Sequence, residues 1–166
     1  MSIADIEAAG PDWIPVPSGR SYRVASPPRG ALVTPRLAAE LARVLDRFAI
    51  EAGFSKDRPV DVVFKPGVVG HHQVGRAADI YGVGSRGLDA WKADWDLAVQ
   101  RSDTERECRR NLGWRLYKAI QTYGSWSQPA GYPVQLFGPW TRSEGPWTRI
   151  SDKLLFAHRD HIHVAK

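Results

Sequence analysis

The segment HRDHIH, residues 158–163, contains three of the five histidines of this 166-residue chain. The other two stand together in GHHQVGRAADI, residues 70–80. Imidazole is the most common metal-binding side chain in proteins. Five histidines placed at random would rarely collect into two short segments, so we expect one metal site that is built from both.

The alternation of residue types predicts a strand in each segment. His161 and His163 stand two residues apart in HIHVA, residues 161–165, and in a strand both side chains would point to the same face. RAADIY, residues 76–81, predicts a second strand. Strands from both segments would therefore carry the site.

A catalytic zinc ion takes three protein ligands and keeps a fourth position for water. His72 precedes the second strand and Asp79 lies near its end, with Gly75 between them to allow the loop to turn back. Together with His163 they would place two imidazoles and one carboxylate around Zn²⁺. Such an ion lowers the pKa of its water and polarises a carbonyl group, which is the chemistry of amide hydrolysis.

A general base beside the metal would complete a hydrolase, and the closing segment offers two candidates. One is His161, on the strand face of the predicted ligand, and the other is Asp160. His158 would support either base, or hold an oxyanion in its protonated form.

The two segments resemble the motifs of the zinc D-Ala-D-Ala peptidases. Residues 70–80 match the pattern S-x-H-x-x-G-x-A-x-D-I except at Gly70, and residues 160–164 resemble the closing strand of that group. The group shares its fold with the hedgehog N-terminal domain and with murein endopeptidases. The resemblance implies that His72, Asp79 and His163 bind zinc.

The resemblance also implies roles for the closing segment. In the murein endopeptidase branch the position of His161 serves the catalytic step, and His158 occupies the place of a further histidine. In the dipeptidase branch a Glu-x-x-His motif supplies the base, and Asp160 stands at the position of that Glu. The family's preceding Ser-x-x-Arg segment is not evident, and residues 65–68, KPGV, stand in its place.

The remaining pattern predicts an α+β protein with a small antiparallel sheet that carries the zinc site and packs against helices. Residues 1–33 are rich in proline and predict an arm on the surface of a single domain formed by residues 34–166. Thr34 and Pro35 are typical of the start of a helix. The further elements we expect are helices at 35–52, 88–101 and 103–123, the last capped by Asp103, and strands at 59–64 and 134–137.

The charge and hydropathy of the chain indicate which kinds of binding partner to expect. The net charge of +5 is spread along the chain without a basic cluster, which argues against a nucleic-acid partner and suits an anionic cell wall. No apolar run is long enough for a membrane span. The first ten residues lack the features of a signal peptide, so we expect synthesis in the cytoplasm. A wall hydrolase would then be delivered by lysis, as a phage lysin, or by a secretion apparatus, and the alternative is a recycling enzyme that stays in the cytoplasm.

Aromatic residues are dense between 125 and 150, where they would form either core beneath loops or the wall of a substrate cleft. Combined with the motif resemblance, the sequence predicts a zinc-dependent peptidase, an endopeptidase or a carboxypeptidase, that acts on peptidoglycan peptides. The alternative is a binding module of the same fold that contains zinc but has no catalytic activity.

Overall fold

The computed structural model describes residues 13–25, 32–65, 67, 72–73, 75–84, 109–124, 135–140 and 152–165. These residues form seven strands, which are β1 (Ile14–Pro15), β2 (Tyr22–Val24), β3 (Leu32–Val33), β4 (Val60–Lys65), β5 (Ala77–Val83), β6 (Gln135–Phe137) and β7 (Ile162–Ala165). They also form three helices, which are α1 (Pro35–Glu51), α2 (Leu112–Tyr123) and α3 (Asp152–Ala157). The chain is thus α+β, as predicted.

The main sheet has five strands in the order β2-β4-β5-β7-β6. The pairs β4–β5, β5–β7 and β7–β6 are antiparallel, whereas β2 pairs with β4 in parallel. The prediction of an antiparallel sheet is therefore wrong at this edge, where the sheet is mixed. The parallel strand comes from the N-terminal arm, so residues 22–24 of the arm are part of the sheet.

Helix α1 begins as its sequence predicts. The Thr34 hydroxyl accepts a hydrogen bond from the Leu37 backbone N–H, and Pro35 occupies the first turn, where its missing N–H costs nothing. The buried residues Leu41, Val44 and Phe48 recur at helical spacing along one face. This face packs against α2 and the sheet.

Helix α2 is shorter than predicted. It begins at Leu112 because the Asn111 side chain caps it by accepting a hydrogen bond from the Trp114 N–H, and residues 109–110 form a turn. A single helix over 103–123 is therefore wrong. Residues 103–108, with the predicted Asp103 cap, and the whole predicted helix at 88–101 lie outside the described residues.

One face of the main sheet belongs to the core. Ile80, Leu136, Ile162 and Val164 are fully buried there in one apolar cluster with α1 and α2. Trp140 joins this cluster and is 2% exposed, which agrees with the core interpretation for that part of the aromatic region. The alternate residues of the same strands are directed to the other face.

Among the described residues, no helix combines the length and apolar character that crossing a bilayer requires.

Candidate metal centre

The face of the sheet opposite the core carries a row of functional side chains. Lys65 on β4 pairs with Asp79 on β5, Asp79 pairs with His163 on β7, and His163 pairs with Phe137 on β6. Residues that face each other across antiparallel strands project to the same side at close spacing. The strand register therefore places Asp79 and His163 side by side.

The predicted ligands of the two segments converge. Nδ1 of His163 lies 2.8 Å from Oδ1 of Asp79, and Nε2 of His72 lies 3.2 Å from Oδ2 of the same carboxylate. The candidate ligand atoms of His72, Asp79 and His163 all lie within 4.8 Å of one another. These three residues could hold a metal ion, and they are the set that the sequence predicted.

The spacing suits a small tetrahedral ion. Ligands at about 2.0–2.1 Å from zinc in a tetrahedron are about 3.3 Å apart. The distances of 2.8 and 3.2 Å from the two Asp79 oxygens to the two imidazoles are close to that edge, whereas the full set of ligand atoms spans up to 4.8 Å, so the ligands would have to close in on a zinc ion. Nitrogen and carboxylate oxygen are also the donors that zinc accepts in catalytic sites.

Asp79 is charged in this environment. Burial by itself would raise the pKa of its carboxyl group, but hydrogen bonds from His163 and His72 outweigh burial and hold the pKa well below its ordinary value. The side chain is nearly buried, at 7% exposure. A carboxylate binds a metal ion in its deprotonated form, so the ionised Asp79 side chain needs no further proton loss to bind a cation.

His163 is fixed by two further residues of β6. Its Nε2 lies 3.1 Å from Oε1 of Gln135, and the Phe137 ring stacks on the imidazole at 5.5 Å. Without a metal, Nδ1–H donates to Asp79; with a metal bound, Nε2–H would donate to Gln135 and the Nδ1 lone pair would be available to the ion. Such an outer hydrogen bond sets the tautomer of a metal-binding histidine.

His161 lies beside the ligand set on the same face. Its Nδ1 is 2.8 Å from Oδ1 of Asp160, and its Nε2 is 3.8 Å from Oδ1 of Asp79. Because the Asp160 carboxylate accepts from Nδ1–H, the lone pair of neutral His161 is on Nε2. The residue at the predicted general-base position therefore turns its basic nitrogen toward the candidate metal site.

A β-bulge places an aromatic wall against His161. Val63 pairs with Gly82 and Phe64 with Ile80, so Tyr81 has no partner on β4. The Tyr81 ring stacks on His161 at 4.5 Å with an interplanar angle of 12°. Burial, reinforced by the charges of Asp79 and Asp160, raises the pKa of the Tyr81 phenol to about 12, so the ring stays neutral.

His158 completes the group of imidazoles. Its ring lies 4.9 Å from that of His161 and 5.1 Å from that of His163. Nδ1–H donates to the Leu154 carbonyl oxygen at 2.7 Å, which leaves the lone pair on Nε2. Burial lowers the pKa of His158 to about 4, so the ring is neutral at neutral pH.

Lys65 supplies a positive charge at the edge of this face. Its ammonium group lies 4.8 Å from the centre of the Tyr81 ring, which itself stacks on His161. The salt bridges of the described residues do not include Lys65. An exposed cation is thus held next to the candidate centre.

The structure places all six predicted site residues on one side of the sheet or its adjoining turns, and it adds four that sequence analysis missed. The missed residues are Lys65, Tyr81, Gln135 and Phe137. Gln135 and Phe137 alternate on a predicted strand, but only the pairing of β6 with β7 connects them to His163. Gly70 and His71 of the first segment lie outside the described residues.

Arg159, which lies between His158 and the Asp160–His161 pair, takes a different direction. Its guanidinium stacks on Phe156 of α3 at 3.7 Å and donates to the Phe156 carbonyl. Its described contacts are with α3 and not with the candidate ligands.

Comparison with known proteins gave no match to a family model, to a curated protein or to a solved structure.

Proposed function

We propose that this protein is a zinc-dependent peptidase that hydrolyses amide bonds in peptidoglycan peptides. The single observation that carries the proposal is a set of three candidate ligands next to an oriented base. Among the described residues the set comprises His72, Asp79 and His163, and Nε2 of His161 lies beside it. Structural zinc sites have four protein ligands, whereas catalytic sites have three and leave one position open.

The motif resemblance supports the choice of substrate and metal, because the spacing in both segments is that of zinc D-Ala-D-Ala peptidases and murein endopeptidases. A bound zinc ion would supply a Lewis acid that polarises the scissile carbonyl and lowers the pKa of a water molecule. The same ligand trio also suits Fe²⁺, so metal content has to be measured together with activity.

His161 is the general base in this proposal, and Asp160 orients it. Nε2 of His161 takes a proton from the attacking water and later gives a proton to the leaving amine. The Asp160 carboxylate, 2.8 Å from Nδ1, stabilises the positively charged imidazolium that forms in between. His161 and Asp160, the two candidate bases predicted from the sequence, thus act together as one hydrogen-bonded pair in this proposal.

His158 is better suited to accept a hydrogen bond than to donate one. With Nδ1–H committed to Leu154 and a pKa of about 4, its neutral ring offers only a lone pair at Nε2. It would hold a water molecule or a substrate N–H, and it would not carry the positive charge that stabilises an oxyanion at neutral pH.

Lys65 would bind a carboxylate of the substrate. Peptidoglycan peptides carry free carboxylates, and Lys65 is a cation at the edge of the row that contains Asp79 and His163. Its exposed position lets a substrate group reach the ammonium without breaking a salt bridge among the described residues.

The test is digestion of purified peptidoglycan by the zinc-loaded protein, with mass spectrometry of the released fragments and metal analysis of the same sample. We expect new amine and carboxyl termini with the wild type. His161→Ala should keep its zinc and lose more than about 100-fold in rate, because it lacks the base.

Gln73→Ala is a matched control, since Gln73 is exposed and adjacent to a ligand, and it should stay active. Full activity of His161→Ala would contradict the mechanism. Stoichiometric zinc without fragments from any wall type would instead favour the binding module of the same fold.

A further inference from the structure

The three candidate ligands differ in what holds them. Asp79 and His163 belong to paired strands, whereas His72 precedes β5 in a turn outside the main sheet. The Gly75 N–H donates to the His72 carbonyl oxygen at 3.1 Å, which closes that turn. This hydrogen bond couples the position of the His72 backbone to that of Gly75.

Two residues from the N-terminal part of the chain contact Gly75. The Thr34 N–H donates to the Gly75 carbonyl oxygen at 2.8 Å. The Trp13 indole lies against Gly75 so closely that a Cβ at Gly75 would be 2.6 Å from Nε1 and Cε2 of the ring. Gly75 also has a φ of +65°, which is a conformation that other residues rarely adopt.

Trp13 and Thr34 reach Gly75 together because of the ribbon formed by β1 and β3. Ile14 pairs with Val33 and Pro15 with Leu32, so Trp13 and Thr34 extend the ribbon at the same end. Val16 and Val33 are 2% and 1% exposed and anchor the ribbon in the core. The ribbon thus connects the rigid core to the turn that carries His72.

The His72 ring is also restricted by Gly67. A Cβ at Gly67 would lie 2.3 Å from the imidazole, so the backbone after β4 packs directly on the ring. The Trp13–Gly75 contact fixes the turn, and the Gly67 contact fixes the ring. Between them, Nε2 of His72 is directed at Oδ2 of Asp79.

We propose that Trp13 is a positioning residue for the metal centre, which acts by holding the Gly75 turn so that His72 is in place before a metal arrives. The inference rests on the metal site of the proposed function, although not on its hydrolytic activity. Without the indole, His72 would have to be ordered at the cost of binding free energy, as for other outer partners of metal ligands.

The experiment measures zinc affinity by competition with a chelator, in the full chain, for wild type and Trp13→Ala. We expect Trp13→Ala to bind zinc about 10- to 100-fold more weakly. Ile14→Ala is the matched control, because Ile14 is the next residue on β1 and is 41% exposed, and it should keep the wild-type affinity. Trp13→Phe should recover part of the loss, since a smaller ring still covers Gly75.

A second readout separates positioning from general stability. The Co²⁺ form of Trp13→Ala should show an altered visible absorption spectrum, because His72 sits differently, while Ile14→Ala keeps the wild-type spectrum. If Trp13→Ala does not fold, Trp13→Phe carries the test and should lose affinity in the same direction.

Gly75→Ala gives an independent check of the contact. Alone it should weaken zinc binding through both its backbone conformation and its collision with the indole. In the double variant Trp13→Ala/Gly75→Ala the collision is removed, so the combined loss should be smaller than the product of the two single losses.

Wild-type zinc affinity and spectrum in a folded Trp13→Ala would overturn the proposal, even if the protein hydrolyses peptidoglycan. A protein that binds zinc and hydrolyses nothing would still allow the proposal to pass, since affinity is the quantity measured. A wild type that binds no zinc would overturn both proposals.

Discussion

Asp79 and His163 are held by the hydrogen-bonded ladder between β5 and β7, whereas His72 is held by a turn that the N-terminal ribbon supports. In the first region the strand register alone brings two side chains to 2.8 Å. In the second region the side chain of His72 is positioned by separate contacts: Trp13 and Thr34 contact the Gly75 turn, and Gly67 packs on the imidazole ring. The comparison shows that a candidate metal site can combine a part fixed by regular structure with a part that depends on distant chain segments.

The largest expected effect comes from the residue that both regions share. Asp79→Asn removes the charge that faces both imidazoles, so zinc affinity should fall by more than about 100-fold, beyond the range for outer partners. Asp160→Asn makes the same chemical change at a carboxylate that contacts only His161 among the candidate site residues, and it should keep the zinc. Equal zinc affinity of the two variants, measured by chelator competition, would contradict the ligand assignment.

The next prediction compares the two regions through the stability of the metal-free protein. His163→Ala leaves a space beneath Phe137 and a buried carboxylate with one partner fewer, so it should lower the free energy of unfolding by about 3 kcal/mol. His72→Ala also removes a partner of Asp79, but it lacks the Phe137 stack and the Gln135 hydrogen bond that His163→Ala gives up, so it should cost less, about 1 kcal/mol. Both variants should lose zinc.

Urea unfolding in the presence of a chelator measures this difference. If His72→Ala is as destabilising as His163→Ala, the two ligands are not held in the different ways described above.

Lys65 tests whether the row on the sheet extends to the substrate. Lys65→Met removes the charge and keeps much of the chain length, so KM for a peptide with a free carboxylate should rise about tenfold or more, with little change in kcat. Lys65→Arg should restore binding. An unchanged KM, measured with a peptide of defined sequence, would remove Lys65 from substrate binding without affecting the metal site.

The smallest effect concerns the pH dependence of the metal-free protein. The pKa of His158 is lowered from 6.5 to about 4 in the folded state, so His158 contributes stability above pH 6.5, and this contribution is lost as the pH falls toward 4. We expect a loss on the order of 1 kcal/mol, because partial exposure screens the effect. His158→Gln should lack this part of the acid sensitivity.

Asp79 acts in a separate pH range. Its pKa is held below its ordinary value of 3.8, so its contribution is present above that pH and is lost only at more acidic pH. Identical unfolding curves of wild type and His158→Gln between pH 6.5 and 4, measured with denaturant, would contradict the assigned burial of His158.

The features that were predicted best from the sequence are helix starts and strands whose signals lie in adjacent residues. Thr34 and Pro35 mark the start of α1 because capping is local, and the alternation in residues 161–165 indicates β7. The same rules missed the start of α2, because Asp103 offered a plausible cap further upstream, and the capping role of Asn111 is visible only in the structure.

Long-range pairing could not be predicted in this way. Proline density in residues 1–33 suggested a surface arm, yet Tyr22–Val24 pairs in parallel with β4, and Trp13 reaches the turn of His72. The convergence of His72, Asp79 and His163 was predictable because the motifs that contain them have fixed spacing. The support of this trio by Gln135 and Trp13 was not, because those residues are far from the trio in the sequence and become neighbours only on folding.

The most direct test of the central claim is a crystal structure of the zinc-soaked protein with an anomalous difference map at the zinc edge. We predict one strong peak at about 2.0–2.1 Å from Nε2 of His72, a carboxylate oxygen of Asp79 and Nδ1 of His163. A map with no peak between these residues, or with zinc bound only elsewhere, would contradict the account.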